Sequence, residues 1–117
     1  MHRLIKLSFP VIVILLCTGC FYFFGAKTAT LDITDLSLKS VDTLQVNINA
    51  MRGPHTVEVK ITGETDSKFM INEMMMGPGK VDTILDKGDY FGTMYPIRYT
   101  PLEAKKGHLK VEATFFY

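Results

Sequence analysis

The stretch that decides the fold stands at the end of the sequence and reads Leu109-Lys110-Val111-Glu112-Ala113-Thr114-Phe115-Phe116-Tyr117. Its odd-numbered positions are apolar, and its even-numbered positions are polar until the aromatic end. Successive side chains of a β-strand point to opposite faces, so this pattern predicts a strand with one buried and one wet face. We expect residues 109–117 to form the last core strand of the domain.

The same period of two recurs earlier in the chain. Apolar and polar residues alternate over residues 31–34, 36–39, 44–50 and 57–62. Groups rich in Gly, Pro and Asp interrupt the alternation at residues 52–55, 63–66, 77–80 and 86–89, and these residue types favour turns. Short strands separated by frequent turns are typical of a sandwich or small barrel. We therefore predict an all-β fold, a single small antiparallel β-sandwich, with at most one short helical turn at residues 101–106.

One late segment resembles a known family. It is similar to the corner between two late strands of immunoglobulin-like sandwiches, on the residues Tyr99-Thr100-Pro101, Ala104, Gly107 and the run that starts at Leu109. In that family a tight turn with Gly leads the chain into a core strand, so the resemblance implies an immunoglobulin-like sandwich. The chain lacks the Cys and Trp pair of antibody domains, which excludes an antibody-like subclass. A shared fold does not supply a function.

The first 26 residues have the pattern of an export signal. A basic head of His2, Arg3 and Lys6 precedes an apolar run at residues 11–16 and small residues after it, as in secretory signal peptides. The end of the segment resembles a bacterial lipoprotein signal, because Thr18 and Gly19 precede Cys20. The resemblance implies that Cys20 carries a covalent lipid such as palmitate and becomes the new N-terminus. Cys17 stands where that family usually has Leu.

Two other outcomes fit the same segment. Residues 7–26 contain no charge, and at about 1.5 Å per residue they could cross a hydrocarbon core of about 30 Å as an uncleaved single-pass anchor. Ordinary cleavage with release is the third outcome, although Phe24 occupies the small-residue position that a site at Ala26 needs. All three outcomes place the later residues outside the cytoplasm. The expected organisation is a signal peptide or membrane anchor (1–20), a tether (21–29) and a sandwich domain (30–117).

Charge and composition exclude several classes of function. The 13 Lys and Arg residues nearly balance 12 Asp and Glu residues, for a net charge of +1, so the strong basic field of a nucleic-acid binder is missing. Beyond the export segment the sequence shows no phosphate-binding glycine loop, zinc or calcium spacing, and no spacing that nominates a nucleophile and its base. We therefore expect a protein that is not an enzyme and has no cofactor apart from the lipid on Cys20.

Methionine and aromatic residues are concentrated in one tract of the exported part. Unbranched methionines and exposed aromatic rings suit an adaptable protein contact surface, although both also fill cores. We predict a non-catalytic binding or assembly module in the bacterial cell envelope, anchored to a membrane and bound to another envelope protein. The predicted contact residues are Met74, Met75, Met76, Tyr90, Phe91 and Tyr95.

A second prediction comes from the chemistry of thioethers. These soft ligands select Cu(I), and Met74 and Met76 would share one face of a strand. With His55 they could form a periplasmic carrier of Cu(I) or of a small ligand. The two predictions differ in whether Cu(I) binding depends on the sulfur atoms of Met74 and Met76.

Overall fold

The structure of the chain is a computed structural model that describes residues 25–48 and 53–117. The predicted signal peptide, Cys20 and residues 21–24 of the predicted tether lie outside the described residues. Within the described part of the chain, no helix has the length and apolar character needed to cross a membrane.

Eight antiparallel strands form two four-stranded sheets. Sheet 1 has the strand order β1-β8-β3-β6, and sheet 2 has the order β2-β7-β4-β5. The two sheets pack face to face and confirm the prediction of an all-β antiparallel sandwich. The strands are β1 (Ala26–Ile33), β2 (Ser40–Gln45), β3 (Thr56–Thr65), β4 (Phe69–Ile71), β5 (Met74–Met76), β6 (Gly79–Asp89), β7 (Met94–Thr100) and β8 (Gly107–Phe116).

The core lies between the inner faces of the two sheets. β3 and β8 are the central strands of sheet 1, and their alternating apolar residues pair with each other. Sheet 2 contributes buried Leu44, Ile97, Tyr99, Phe69 and Ile71 from the opposite side. Removing these side chains from water is the main force that holds the two layers together. The inner positions of β3 and β8 are Val57, Val59, Ile61, Leu109, Val111, Ala113 and Phe115.

The alternation over residues 36–39 does not form a strand, because these residues lie in the link between β1 and β2. β1 ends at Ile33, and β2 begins at Ser40. The carboxylate of Asp35 accepts a hydrogen bond of 3.1 Å from the backbone N–H of Ser37 and another from the hydroxyl of the same residue. Aspartate side chains that bond the backbone two residues later replace the ladder of a strand with a turn.

Two other boundaries differ from the sequence pattern. The prediction of a turn at residues 86–89 is wrong, because these residues continue β6 and pair with the start of β3. The register shifts between Val59 and Lys60, so that Leu85 is an extra residue in β6, and such a bulge lets a strand continue through an irregular stretch. At the other edge of sheet 1, β1 begins at Ala26 and so includes the last four residues of the predicted tether.

Two glycines allow β3 and β8 to approach closely at one end of sheet 1. Gly63 and Gly107 have φ values of +146° and +130°. A Cβ atom at Gly63 would lie 2.1 Å from the carbonyl oxygen of His108, and one at Gly107 would lie 2.0 Å from that of Glu64. Only glycine fits at both positions. Gly107 thus leads the chain into the core strand β8, in the segment that resembles an immunoglobulin-like corner.

Candidate functional site

The outer face of sheet 1 is strongly charged. The buried residues of each strand fix which side chains point inward, and the remaining positions of β1, β3, β6 and β8 point to solvent. Lys60 forms an ion pair with Asp82 at 3.4 Å, and Lys110 forms one with Glu112 at 3.3 Å. The charged outward positions are Asp32, Glu58, Lys60, Glu64, Lys80, Asp82, Lys87, Asp89, Lys110 and Glu112.

The outer face of sheet 2 has the opposite character. Among the outward positions of its four strands, all of which the structure describes, Arg98 alone is charged. Val41 is 67% exposed and Met75 is 59% exposed. Contiguous exposed apolar patches on a soluble domain mark binding surfaces more often than single exposed residues do. We call this surface the apolar face, formed by Val41, Thr43, Gln45, Met70, Met75, Met94, Pro96, Arg98 and Thr100.

A cleft opens at the margin of the apolar face, which we call the β7 cleft. β4 pairs with β7 only at Met70–Thr100 and Ile71–Tyr99, so the first half of β7 has a free edge. The cleft there has a volume of about 490 Å³ and runs from the apolar face to the inner side of β6. Its walls include two carboxylates, one guanidinium and two aromatic rings. The residues that line the cleft are Val41, Asn72, Glu73, Asp86, Tyr90, Tyr95, Pro96, Ile97 and Arg98.

Side chains occupy the hydrogen-bonding groups of the free β7 edge. The N–H of Arg98 donates to Oδ1 of Asn72 at 2.8 Å, and Nδ2 of Asn72 donates to the carbonyl oxygen of Pro96 at 3.1 Å. Pro96 has no N–H to leave unpaired, and the hydroxyl of Tyr90 donates to the carbonyl oxygen of Met94. Proline and capping side chains protect strand edges from pairing with other chains. The β7 cleft therefore presents side chains to a ligand rather than an open backbone edge.

Two tyrosines form the inner wall of the β7 cleft. The rings of Tyr90 and Tyr95 lie 5.4 Å apart between centroids, and Tyr90 also packs against the buried ring of Phe115. The hydroxyl of Tyr95 donates to Oδ2 of Asp86 at 2.8 Å. Burial, followed by the hydrogen bond to Asp86, raises the pKa of Tyr95 above its ordinary value. The two rings and the hydrogen bond to Asp86 therefore give this wall an aromatic surface with one anchored hydroxyl.

The six predicted contact residues are divided among four places. Tyr90 and Tyr95 line the β7 cleft. Met75 lies on the apolar face, because its partner across β4 and β5 is the outward Met70. Met74 is exposed on the opposite side of β5 and Met76 packs against the core, whereas the exposed Phe91 lies in the loop that follows β6.

The residues of the Cu(I) prediction do not meet. Met74 and Met76 pair with the buried Ile71 and Phe69, so they do share one face. His55 directly precedes β3, whereas Gly77 lies against Thr65 at the far end of that strand. The ten residues of β3 span about 33 Å. Within residues 25–48 and 53–117, no group of three or more His, Cys, Asp or Glu side chains is placed to hold a metal ion.

Sequence reasoning missed most of the cleft walls. Asn72 and Glu73 form the two-residue link between β4 and β5, and their φ values are 48° and 70°. Asn tolerates such positive φ values and favours turns, so Asn72 between two apolar segments was a partial signal for this turn, although the Asn-Gly pair typical of two-residue hairpins is absent at residues 72–73. Asp86 and Arg98 could not have been predicted, because they meet at the cleft only through the packing of β6 and β7 from different sheets.

Comparisons with solved structures include a distant match. No family model and no curated protein sequence matches the chain. A structure described as "Crystal Structure of FLHE" is 14% identical over a match that covers 79% of this chain and 96% of that chain, with a TM-score of 0.29. This similarity is too low to support an inference about function.

Proposed function

We propose that this chain is a non-catalytic binding module of the bacterial cell envelope, and that it docks a protein partner on the apolar face of sheet 2. The observation that carries the proposal is the contrast between the two outer faces of one sandwich. Many charged side chains cover the outer face of sheet 1, whereas Arg98 is the single charged side chain among the outward positions of the four strands of sheet 2. Interface cores are depleted in Lys, Glu and Asp and enriched in Met, aromatic residues and Arg.

The composition of the apolar face suits a protein partner. Met70, Met75 and Met94 are flexible and polarisable, so they can adapt to the shape of another protein surface. Arg98 is the residue type that most often pairs with a partner's carboxylate or aromatic ring at such sites. The β7 cleft at the margin could receive one protruding side chain of the partner between its tyrosines and Asp86. Affinity would then come from a few central residues.

Attachment to a membrane is the second part of the proposal. The sequence Thr18-Gly19-Cys20 supports a lipid on Cys20, and the uncharged residues 7–26 support a spanning anchor as the alternative. The intact mass of the chain extracted from membranes separates these two. A chain that begins at Cys20 and carries acyl mass supports lipidation. A chain that begins at Met1 supports the spanning helix, and a water-soluble chain that begins after residue 20 contradicts both anchors.

A pair of matched substitutions tests the docking surface. Met75→Lys places a charge in the apolar face, and Ile84→Lys places the same charge at a 50% exposed apolar residue on the outer face of sheet 1. We expect a partner that co-purifies with the full chain from detergent-solubilised native membranes to be lost from the Met75 variant and retained by the Ile84 variant. Equal loss from both variants, or retention by both, would contradict docking on the apolar face.

A further inference from the structure

The chain enters the sandwich at a fixed point. The backbone N–H of Gly25 donates to the carbonyl oxygen of Tyr117 at 2.8 Å, and the N–H of Tyr117 donates back to that of Gly25 at 2.9 Å. β1 begins at the next residue, Ala26. Whatever precedes Gly25 is therefore held at this end of sheet 1, which we call the entry end.

Backbone hydrogen bonds connect the entry point to the loop after β6. The N–H of His55 donates to the carbonyl oxygen of Phe116 at 2.9 Å, and the N–H of Tyr90 donates to that of His55 at 3.0 Å. These bonds place the first residues of β1 and β3 and the last residues of β8 and β6 at the same end. Three strand spacings separate β1 from β6 in the order β1-β8-β3-β6, which amounts to about 14 Å.

Phe91 projects from the entry end into solvent. It is 76% exposed, the highest value among the exposed large apolar side chains of the described residues. Residues 90–97 contain no charge, since the first charged residue after Asp89 is Arg98. The next residue is Gly92, which has no side chain that could cover the ring. An uncharged loop with an exposed aromatic tip has the chemistry of segments that enter a membrane interface.

The distance from the anchor is short. Five residues lead from Cys20 to Gly25, and an extended chain advances at most about 3.6 Å per residue, so the entry end lies within about 18 Å of a lipid on Cys20. A spanning segment would have to end before Gly25, which pairs with Tyr117, and would hold the entry end closer still. Given the membrane attachment of the proposed function, on which this inference rests, we propose that the entry end lies on the bilayer with Phe91 inserted among the lipid headgroups. The occupant of this surface is the anchoring membrane itself.

This orientation leaves the docking surface accessible. The strands of both sheets run away from the entry end, so the apolar face of sheet 2 would stand upright beside the membrane rather than against it. Leu38, which is 62% exposed, lies in the link between β1 and β2 at the far end of the sandwich. The eight residues of β1 separate the two ends by about 26 Å, so Leu38 provides a matched apolar control.

The chain contains no tryptophan, so a single introduced indole reports on one position. Phe91→Trp and Leu38→Trp would be made in the full chain and reconstituted into vesicles of phosphatidylethanolamine and phosphatidylglycerol. Flotation with the vesicles is measured first, followed by emission wavelength and quenching by lipids brominated near the headgroup. We expect a blue-shifted, quenched emission at position 91, with at least a twofold loss of intensity, and unquenched emission at position 38.

The possible results separate this inference from the proposed function. In one result the protein binds vesicles while neither indole is quenched, and in another it binds vesicles while position 38 is quenched instead of position 91. Either result overturns the proposed orientation and leaves the membrane anchor intact. A full chain that does not float contradicts the anchor and the orientation together.

Discussion

The hydroxyl of Tyr99 donates a hydrogen bond of 2.7 Å to the backbone carbonyl oxygen of Leu36. Both residues are fully buried, and they lie 63 positions apart in the chain. The bond ties the last part of β7 to the link between β1 and β2, which crosses from sheet 1 to sheet 2. It satisfies a carbonyl group that would otherwise be buried without a partner, and such groups are costly to leave unpaired.

Alkaline pH should weaken the fold through Tyr99. Burial, with smaller contributions from Asp66 and Asp35, raises the pKa of Tyr99 from 10.0 to about 12. The folded chain therefore keeps a proton that the unfolded chain releases, so the stability linked to this proton is complete below pH 10 and is lost as the pH rises toward 12. Urea unfolding of the wild type and Tyr99→Phe across this range measures the effect. If Tyr99→Phe loses stability as steeply as the wild type between pH 10 and 12, Tyr99 is not a major source of the alkaline loss of stability.

Gly107→Ala should destabilise the chain strongly. The new Cβ atom would lie 2.0 Å from the carbonyl oxygen of Glu64, at a φ of +130°. Backbone strain and the clash together should lower the free energy of unfolding by about 2–4 kcal/mol. Gly88→Ala is the control, because that position has open space around it. Similar midpoints for the two variants in urea would show that β3 and β8 can separate at little cost.

Glu73→Gly should stabilise the chain. Glu73 has a φ of 70° in the two-residue link between β4 and β5, and glycine adopts this conformation without the penalty of a side chain. We expect a gain of about 0.5–1 kcal/mol in the free energy of unfolding. Glu58→Gly, in the middle of β3, should instead lose stability because it loosens a regular strand. Thermal unfolding of both variants measures the sign of each change in stability. A loss of stability in Glu73→Gly would refute the argument that Glu73 is strained.

Asn72→Asp should damage the β7 edge while changing little in size. The carboxylate can still accept from the N–H of Arg98, but it cannot donate to the carbonyl oxygen of Pro96. Because these groups are exposed to water, the lost hydrogen bond and the repulsion between the carbonyl and the carboxylate should cost roughly 0.5–1.5 kcal/mol. Amide exchange at Arg98 should also become faster than in the control Asn47→Asp, which alters an exposed residue. An unchanged exchange rate at Arg98 would mean that the hydrogen bonds of the Asn72 side chain are not needed to protect the β7 edge.

The central strands were the part of the fold that could be predicted from sequence. β3 and β8 are covered on one face and exposed to water on the other along most of their length, so apolar and polar residues alternate over most of each strand. β6 was missed because it is an edge strand with a bulge at Leu85 and an irregular burial pattern. The turn after β1 was hidden because Leu36 and Leu38 start a second alternation, in the opposite phase to Leu31 and Ile33, although only Leu36 of this second pair is buried.

The candidate site was harder to predict than the fold. The sequence indicated the methionine tract, but it could not tell that Met75 points outward and Met76 packs inward until the register with β4 was known. The apolar face joins residues of β2, β4, β5 and β7, which are far apart in the chain. Val41 in particular has no sequence feature of its own, and its importance comes from its position opposite Arg98 on β7.

The most direct test of the central claim is site-specific photo-cross-linking in the native host. A photoreactive amino acid replaces Val41 on the apolar face in one full-length variant, and Ile84 on the outer face of sheet 1 in another. Our account predicts a discrete protein adduct from position 41 and none from position 84. An adduct from position 84 alone, or no adduct from either position when the chain is at its native level, would contradict a protein-docking role for the apolar face.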